Sequence, residues 1–287
     1  MKRYSLSVCT RRLGKVQRTN GLREYSRNIL RPRLQISQLF AAREAASNKS
    51  RFSRDSSIAK ISFRGSMLGM DYAKQKEYFE QAYLTGSDIW THIPYELRGR
   101  SVLEHVPKNS LILDIGSGRG MWAFALVELG YRVIGVDYVG RTIERTNEEA
   151  KHRAIEQRVR FVESDVLNMP FKDGTFDAAT DFGLLQHLDQ SDWKQYCDET
   201  ARVIKDGGYF LAVVFSKETP SFLGWSPRAS ESGHFEKDGI HYHFFTRDEV
   251  ARAFEAHFDV VEQKTEVVPK KDVPVFVSTV FKRKTHG

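Results

Sequence analysis

Cysteine is nearly absent. Cys9 and Cys197 are the only two in 287 residues, far apart and with no second pair beside them. That argues against a disulfide framework and a cysteine-based zinc site, and fits a reducing compartment such as the cytoplasm. Long apolar stretches are missing as well. Runs such as Tyr209–Phe215 are strand-sized, far short of the roughly 20 residues that a membrane helix needs, so no membrane is expected among the partners. Acids are scarce at one end only. Residues 1–64 hold 16 Lys+Arg against Glu24, Glu44 and Asp55, a balance of +13, whereas the rest holds 28 Lys+Arg against 34 Asp+Glu, a balance of −6. The overall charge of +7 thus belongs to an appendage. A mildly acidic body lacks the concentrated positive face that a phosphate backbone requires, so nucleic acid is not the expected partner.

The basic segment has few large apolar residues and little periodicity. Too little surface can be buried there to offset the entropy of ordering, so residues 1–66 are expected to form a disordered extension, and 67–287 the working domain. The first 23 residues carry no acid but many Arg, Ser and Thr, the pattern of a mitochondrial transit peptide over about 1–30, which makes the matrix the alternative location. A basic arm for RNA or an anionic membrane is a further reading. A passive extension ahead of a domain that begins near Met67 or Met70 is the third.

What is present from residue 72 onward is alternation. Short apolar runs at 111–115, 133–137, 159–163, 176–180 and 209–215 read as strands. Helical patterns separate them: an almost wholly apolar one at 121–129, a polar one at about 141–157, and one that Ser191 should cap and Gly207–Gly208 should end. Thr246 and Glu249 form a capping-box pattern, and strands at 258–263 and 273–281 close the chain. Strands alternating with helices predict an α/β fold, doubly wound around a mostly parallel sheet.

The first strand runs straight into Gly116, Ser117, Gly118, Arg119 and Gly120, then a helix. Glycines let a ligand approach the backbone closely, because no Cβ intervenes. Asp137 ends the next strand, 21 residues past Gly116, a spacing at which carboxylates accept hydrogen bonds from ribose hydroxyls. Gly118, Gly120 and Ala123 also fit a relaxed dinucleotide fingerprint, so an NAD(P)-dependent oxidoreductase competes. Against it stands Asp114 immediately ahead of the loop. A carboxylate there would repel a pyrophosphate, but it would suit a cationic amino-acid ammonium.

An acid followed by three alternate glycines resembles the first motif of the class I S-adenosylmethionine-dependent methyltransferases, in particular the small-molecule, type 11-like domains. The resemblance runs over about 72–281. It implies a seven-stranded Rossmann-like sheet whose last strand is antiparallel, with S-adenosyl-L-methionine as cofactor. Asp114, Gly116, Ser117, Gly118 and Gly120 would meet the methionine part and Asp137 the ribose, with Tyr138 beside it also in the cofactor site. Asp165 would meet the adenine amino group and Val166 its ring edge. The stretch from Phe176 through Asp181 to His187 resembles the fourth-strand motif that lines the transfer pocket. The segment from Tyr78 to Trp90 resembles a helix that folds over the cofactor, where Tyr83 and Trp90 could stack.

Missing features narrow the activity. The fourth strand lacks the (D/N)-P-P-(Y/F) motif of base and amide methylation, and no Pro-Cys dipeptide supports a covalent route to cytosine C5. A small-molecule methyl acceptor is therefore expected, with an RNA methyltransferase that uses its basic arm as the alternative. Residues 216–245 read as a substrate-side insert with Phe222, Trp225, His234, His241, Tyr242, His243 and Phe244. The histidines alternate as in a strand and lack a partnering acid pattern, so no metal is expected. His187 is the one candidate base.

Overall fold

A computed structural model describes residues 72–88, 100–219, 232–237, 239–267 and 275–285. The readings made for residues 1–66, Trp90, Phe222 and Trp225 lie outside the described residues.

Five parallel strands follow the expected runs: β1 (Leu111–Ile115), β2 (Arg132–Asp137), β3 (Val159–Glu163), β4 (Phe176–Phe182) and β5 (Ile204–Phe215). β6 (His234–Lys237) and β7 (Ile240–His243) form a separate hairpin, and β8 (Phe258–Val267) and β9 (Val275–Arg283) complete the sheet. The order is β3-β2-β1-β4-β5-β9-β8, with β9 antiparallel to both β5 and β8. The sheet is the seven-stranded, mostly parallel one expected. Both faces are covered, which the sequence of β1 already requires: Ile112 packs into one apolar cluster, while Leu113 and Ile115 pack into the other, as alternate side chains of a strand must.

The helices are α1 (Ala73–Thr85), α2 (Arg100–His105), α3 (Met121–Glu128), α4 (Gly140–His152), α5 (Trp193–Val203) and α6 (Arg247–Phe254). Every residue of α3 from Trp122 to Val127 is buried. On α4 only Thr142, Ile143, Thr146 and Ala150 are, one stripe of an otherwise polar helix. The capping box before α6 forms as read. The Thr246 hydroxyl accepts from the Glu249 amide at 3.2 Å, and Glu249 accepts from the Thr246 amide at 2.6 Å.

Two local expectations fail for identifiable reasons. Gly207–Gly208 does not end α5 but lies inside β5. Ile204 already pairs with Phe176, and the register then shifts before Ala178 meets Tyr209. At 208 a Cβ would stand 2.8 Å from the Asp177 carbonyl oxygen, so the glycines accommodate a bulge rather than stop a helix. Ser191 is not the cap either. Its amide and hydroxyl both donate to Asp189, at 2.9 and 2.6 Å, and Asp189 opens the turn that leads into α5.

Strand order reverses between β1 and β4, with β2 and β3 on one side and β5 on the other. In a doubly wound sheet this is where the connecting helices part to opposite faces and leave a crevice beyond the carboxyl ends of the strands. The glycine loop follows β1 at that point.

Candidate active site

The crevice is a chamber with walls from β1, β2 and β4 and their following loops, and with a roof from α1. Asp114 is buried at its floor. Its Oδ1 accepts from the Thr180 hydroxyl at 3.1 Å, and Thr180 accepts in turn from Trp122 Nε1 at 3.2 Å. The Asp114 Oδ2 is buried with no hydrogen-bond partner, as is the Ser117 hydroxyl. Burial pushes the Asp114 carboxyl up to about 8, Thr180 opposing and the charges of Asp181 and Asp137 adding. An unmatched buried acceptor is costly unless something cationic or donating completes it.

Gly116 takes a left-handed backbone at φ 70°, and a Cβ there would stand 2.7 Å from Leu184 Cδ1. Only glycine keeps the loop clear at that wall. Gly118 also lines the chamber, under the Tyr83 ring. Gly120 does not. Its Cβ direction points to Thr146 and Phe161, at 2.6 and 2.8 Å. Gly120 thus admits α4 and β3 close behind the loop.

Asp137 at the end of β2 faces the chamber and binds backbone on both sides. Its Oδ2 accepts from the Gly118 amide at 2.9 Å and its Oδ1 from the Val139 amide at 3.0 Å. Burial raises its pKa to about 6, against the lowering effect of those amides. Tyr138, Asp165 and Val166 line the same chamber. Asp165 holds its own turn by accepting from the Leu167 amide at 2.9 Å.

Asp181 is the expectation that the structure moves elsewhere. Thr180 points to Asp114, so its neighbour on β4 must point to the opposite face. There the Asp181 carboxylate accepts from the Leu184 and Leu185 amides at 2.6 and 3.0 Å and from the Tyr196 hydroxyl at 2.7 Å. It does not line the chamber but holds the turn that carries Phe182, Gly183 and Leu184, which do.

The roof was only partly legible. Tyr72, Gln75, Phe79 and Tyr83 recur at helical spacing and all face the chamber. Of these, the resemblance pointed to Tyr83 alone. Asp88 and Arg119 also line it and were missed. Gln75 joins three elements. Its Nε2 donates to the His187 carbonyl at 3.0 Å, and its Oε1 accepts from the His241 amide at 3.1 Å.

His187 lines the chamber, but its chemistry is constrained. Its Nδ1 lies 2.7 Å from the His241 carbonyl, which can only accept, so Nδ1 carries the proton. Its Nε2 then accepts from the Gln186 amide nitrogen, 3.3 Å away. Burial lowers its pKa to about 4. At neutral pH it is an uncharged, oriented acceptor rather than a proton carrier. The described part of the 216–245 insert contributes no chamber wall. The β6–β7 hairpin instead backs His187 through the His241 carbonyl and the Tyr242 ring, 5.1 Å between ring centroids.

Among known proteins, the family described as "Methyltransferase domain" matches residues 112–208. The chain is 36% identical to a demethylmenaquinone methyltransferase of Thermus thermophilus over 116 residues, 39% of this chain and 50% of that one. It is 31% identical to a probable tRNA methyltransferase 9B of Homo sapiens over 144 residues, 50% of this chain and 27% of that one. The chain thus spans half or less of the length of these relatives. A crystal structure of the 1,6-didemethyltoxoflavin-N1-methyltransferase of Burkholderia thailandensis, with 1,6-didemethyltoxoflavin and S-adenosylhomocysteine bound, superposes with a TM-score of 0.63 at 23% identity, covering 77% of this chain and 94% of that one. That likeness is one of fold.

Proposed function

We propose that this chain, which matches a methyltransferase domain over residues 112–208, is a class I S-adenosylmethionine-dependent methyltransferase that transfers a methyl group from S-adenosyl-L-methionine to a small-molecule acceptor. One observation carries the reading: the buried Asp114 carboxyl belongs to the lining of a roofed, largely apolar chamber beside the glycine loop, and its Oδ2 has no side-chain partner. A cationic amino-acid group would complete that acceptor, and the bare loop at Gly116 leaves room for it. A pyrophosphate at the same place would meet a buried carboxyl.

In this reading Asp114 and Ser117 hold the methionine end, Asp137 the ribose hydroxyls, and Asp165 with Val166 the adenine. When bound, the cofactor supplies an activated methyl on a positively charged sulfur, so little acid–base help is needed. The chain's own part is alignment and exclusion of water. Phe79, Phe182 and Leu184 make the chamber apolar, Gln75 ties the roof to the wall, and His187, neutral and held at both ring nitrogens, contributes a fixed wall.

The small-molecule choice rests on the enclosed apolar walls and the net acidic body. The RNA reading draws on the named tRNA methyltransferase relative and the +13 segment. Assay of S-adenosylhomocysteine release separates them. Pooled planar aromatic and quinone-like metabolites should support turnover and total tRNA should not. Turnover with tRNA alone would overturn the proposal, and so would saturable binding of NAD(P) in place of S-adenosylmethionine.

A further inference from the structure

Behind the chamber wall, the fold brings together three side chains that sequence spacing kept apart. Asp189 follows the turn after β4, His234 begins β6 and His241 lies on β7. One donor atom from each lies within 4.8 Å of those of the other two, and all three residues are half-buried. The acid that the histidine pattern lacked in the sequence comes from the other side of β5.

The distance between the rings suits a shared ion. His241 Nδ1 stands 3.4 Å from His234 Nε2. A hydrogen bond between the rings at that length would be a weak one. Two imidazole nitrogens on a tetrahedral ion at about 2.0–2.1 Å each would be separated by about 3.3–3.4 Å. The rings meet at a centroid distance of 5.3 Å, within a hairpin register that sets His234 opposite His243 and His241 opposite Glu236. Imidazole nitrogens with one carboxylate oxygen are a borderline donor set, suited to zinc-like ions and poorly suited to magnesium or calcium.

We propose that Asp189, His234 and His241 form a three-ligand site for a divalent transition-metal cation of the zinc type, with a fourth position left to water. The site belongs to the chamber's support rather than to its interior, since none of the three lines it. Its consequence is mechanical. The His241 carbonyl fixes His187 and the His241 amide binds Gln75, so an ion on the His241 ring would clamp the hairpin to the turn that carries Leu188 and Asp189. The proposal does not depend on which acceptor or cofactor the chamber takes.

The test uses untagged full-length protein, stripped with chelator and titrated with Co²⁺ alone. One saturable equivalent should bind, with the visible absorption of four-coordinate cobalt, and Zn²⁺ should displace it. The double variant His234→Gln/His241→Gln should bind more than about 100-fold more weakly, above the range for losing only an outer hydrogen-bond partner. Asp189→Asn should weaken binding by about 10-fold, and His152→Gln, at an exposed histidine of α4, should change nothing. Absence of a saturable equivalent in the wild type would overturn the site, as would wild-type affinity in the double variant. Should the double variant not fold, His241→Gln decides, because the hydrogen bonds of His241 to His187 and Gln75 use its backbone: unchanged Co²⁺ affinity would overturn the proposal.

Discussion

Asp137 combines two tasks in one carboxylate. It faces the chamber, and it ties the glycine loop to β2 by accepting from the Gly118 and Val139 amides. Its substitution should therefore weaken binding and, by orphaning the Gly118 and Val139 amides, lower stability as well. Asp137→Ala is expected to weaken S-adenosylmethionine binding by about 1–3 kcal/mol, the usual cost of losing a charged acceptor. Asp137→Asn keeps one acceptor and should lose less. Titration calorimetry reads both, and an affinity unchanged in the alanine variant would remove Asp137 from the site. This residue was legible because strand end, spacing and acid coincide. Asp181 was not. It is also an acid at the end of a strand, but which face of β4 it takes depends on register, and Thr180 occupies the chamber side. A carboxylate deep in the opposite layer leaves no mark in composition or spacing.

Among elements, the turn after β4 shows how a chamber wall is held from behind. Three donors converge on the Asp181 carboxylate, two of them backbone amides of the turn itself. Asp181→Ala would leave them unsatisfied in a fully buried place, and a loss of about 3 kcal/mol in urea unfolding is expected. Tyr196→Phe removes one donor of the three and should cost about 1 kcal/mol. Equal stability of Asp181→Ala and wild type would show that the turn is fixed by other contacts. The elements themselves were readable wherever period and punctuation agreed, as at β1, α3 and the Thr246 capping box. Reading failed where a glycine had two uses. Gly207–Gly208 is as good a helix stop as a bulge, and only the pairing of Ile204 with Phe176 decides. The roof was half-read for a similar reason. A stripe of Tyr72, Gln75, Phe79 and Tyr83 says that one face of α1 is covered, but not whether core or cavity covers it.

For the whole molecule, charge is divided between segments, and each division makes a prediction. The basic segment lies outside the compact sheet domain in sequence, and among the described residues the chamber walls come from residue 72 onward. A chain beginning at Met70 should therefore bind S-adenosylmethionine with unchanged affinity. A tenfold loss would give the segment a part in the site. The second division lies within the domain, where Asp114, Asp137 and Asp181 are buried near one another. Asp114 has its folded pKa raised, to about 8 from an unfolded value near 3.8. The folded state thus holds a proton that the unfolded state has released, and the contribution to stability, complete below the unfolded pKa, is lost as pH rises through 8. His187 and His243, both lowered to about 4 in the folded state, keep an unfolded pKa near 6.5, so they add an opposing slope around that pH and are neutral in both states only above about pH 7.5. From about pH 7.5 to 9 the ligand-free melting temperature should accordingly fall, and Asp114→Asn should flatten the fall. A cationic ligand on Asp114 favours the ionised carboxyl, so saturating cofactor should also flatten the fall. The same linkage requires binding near pH 7 to release a proton, measurable as a dependence of calorimetric heat on the buffer's ionisation enthalpy. If binding released no proton and the slope survived Asp114→Asn, the cationic group would have to be held elsewhere in the chamber.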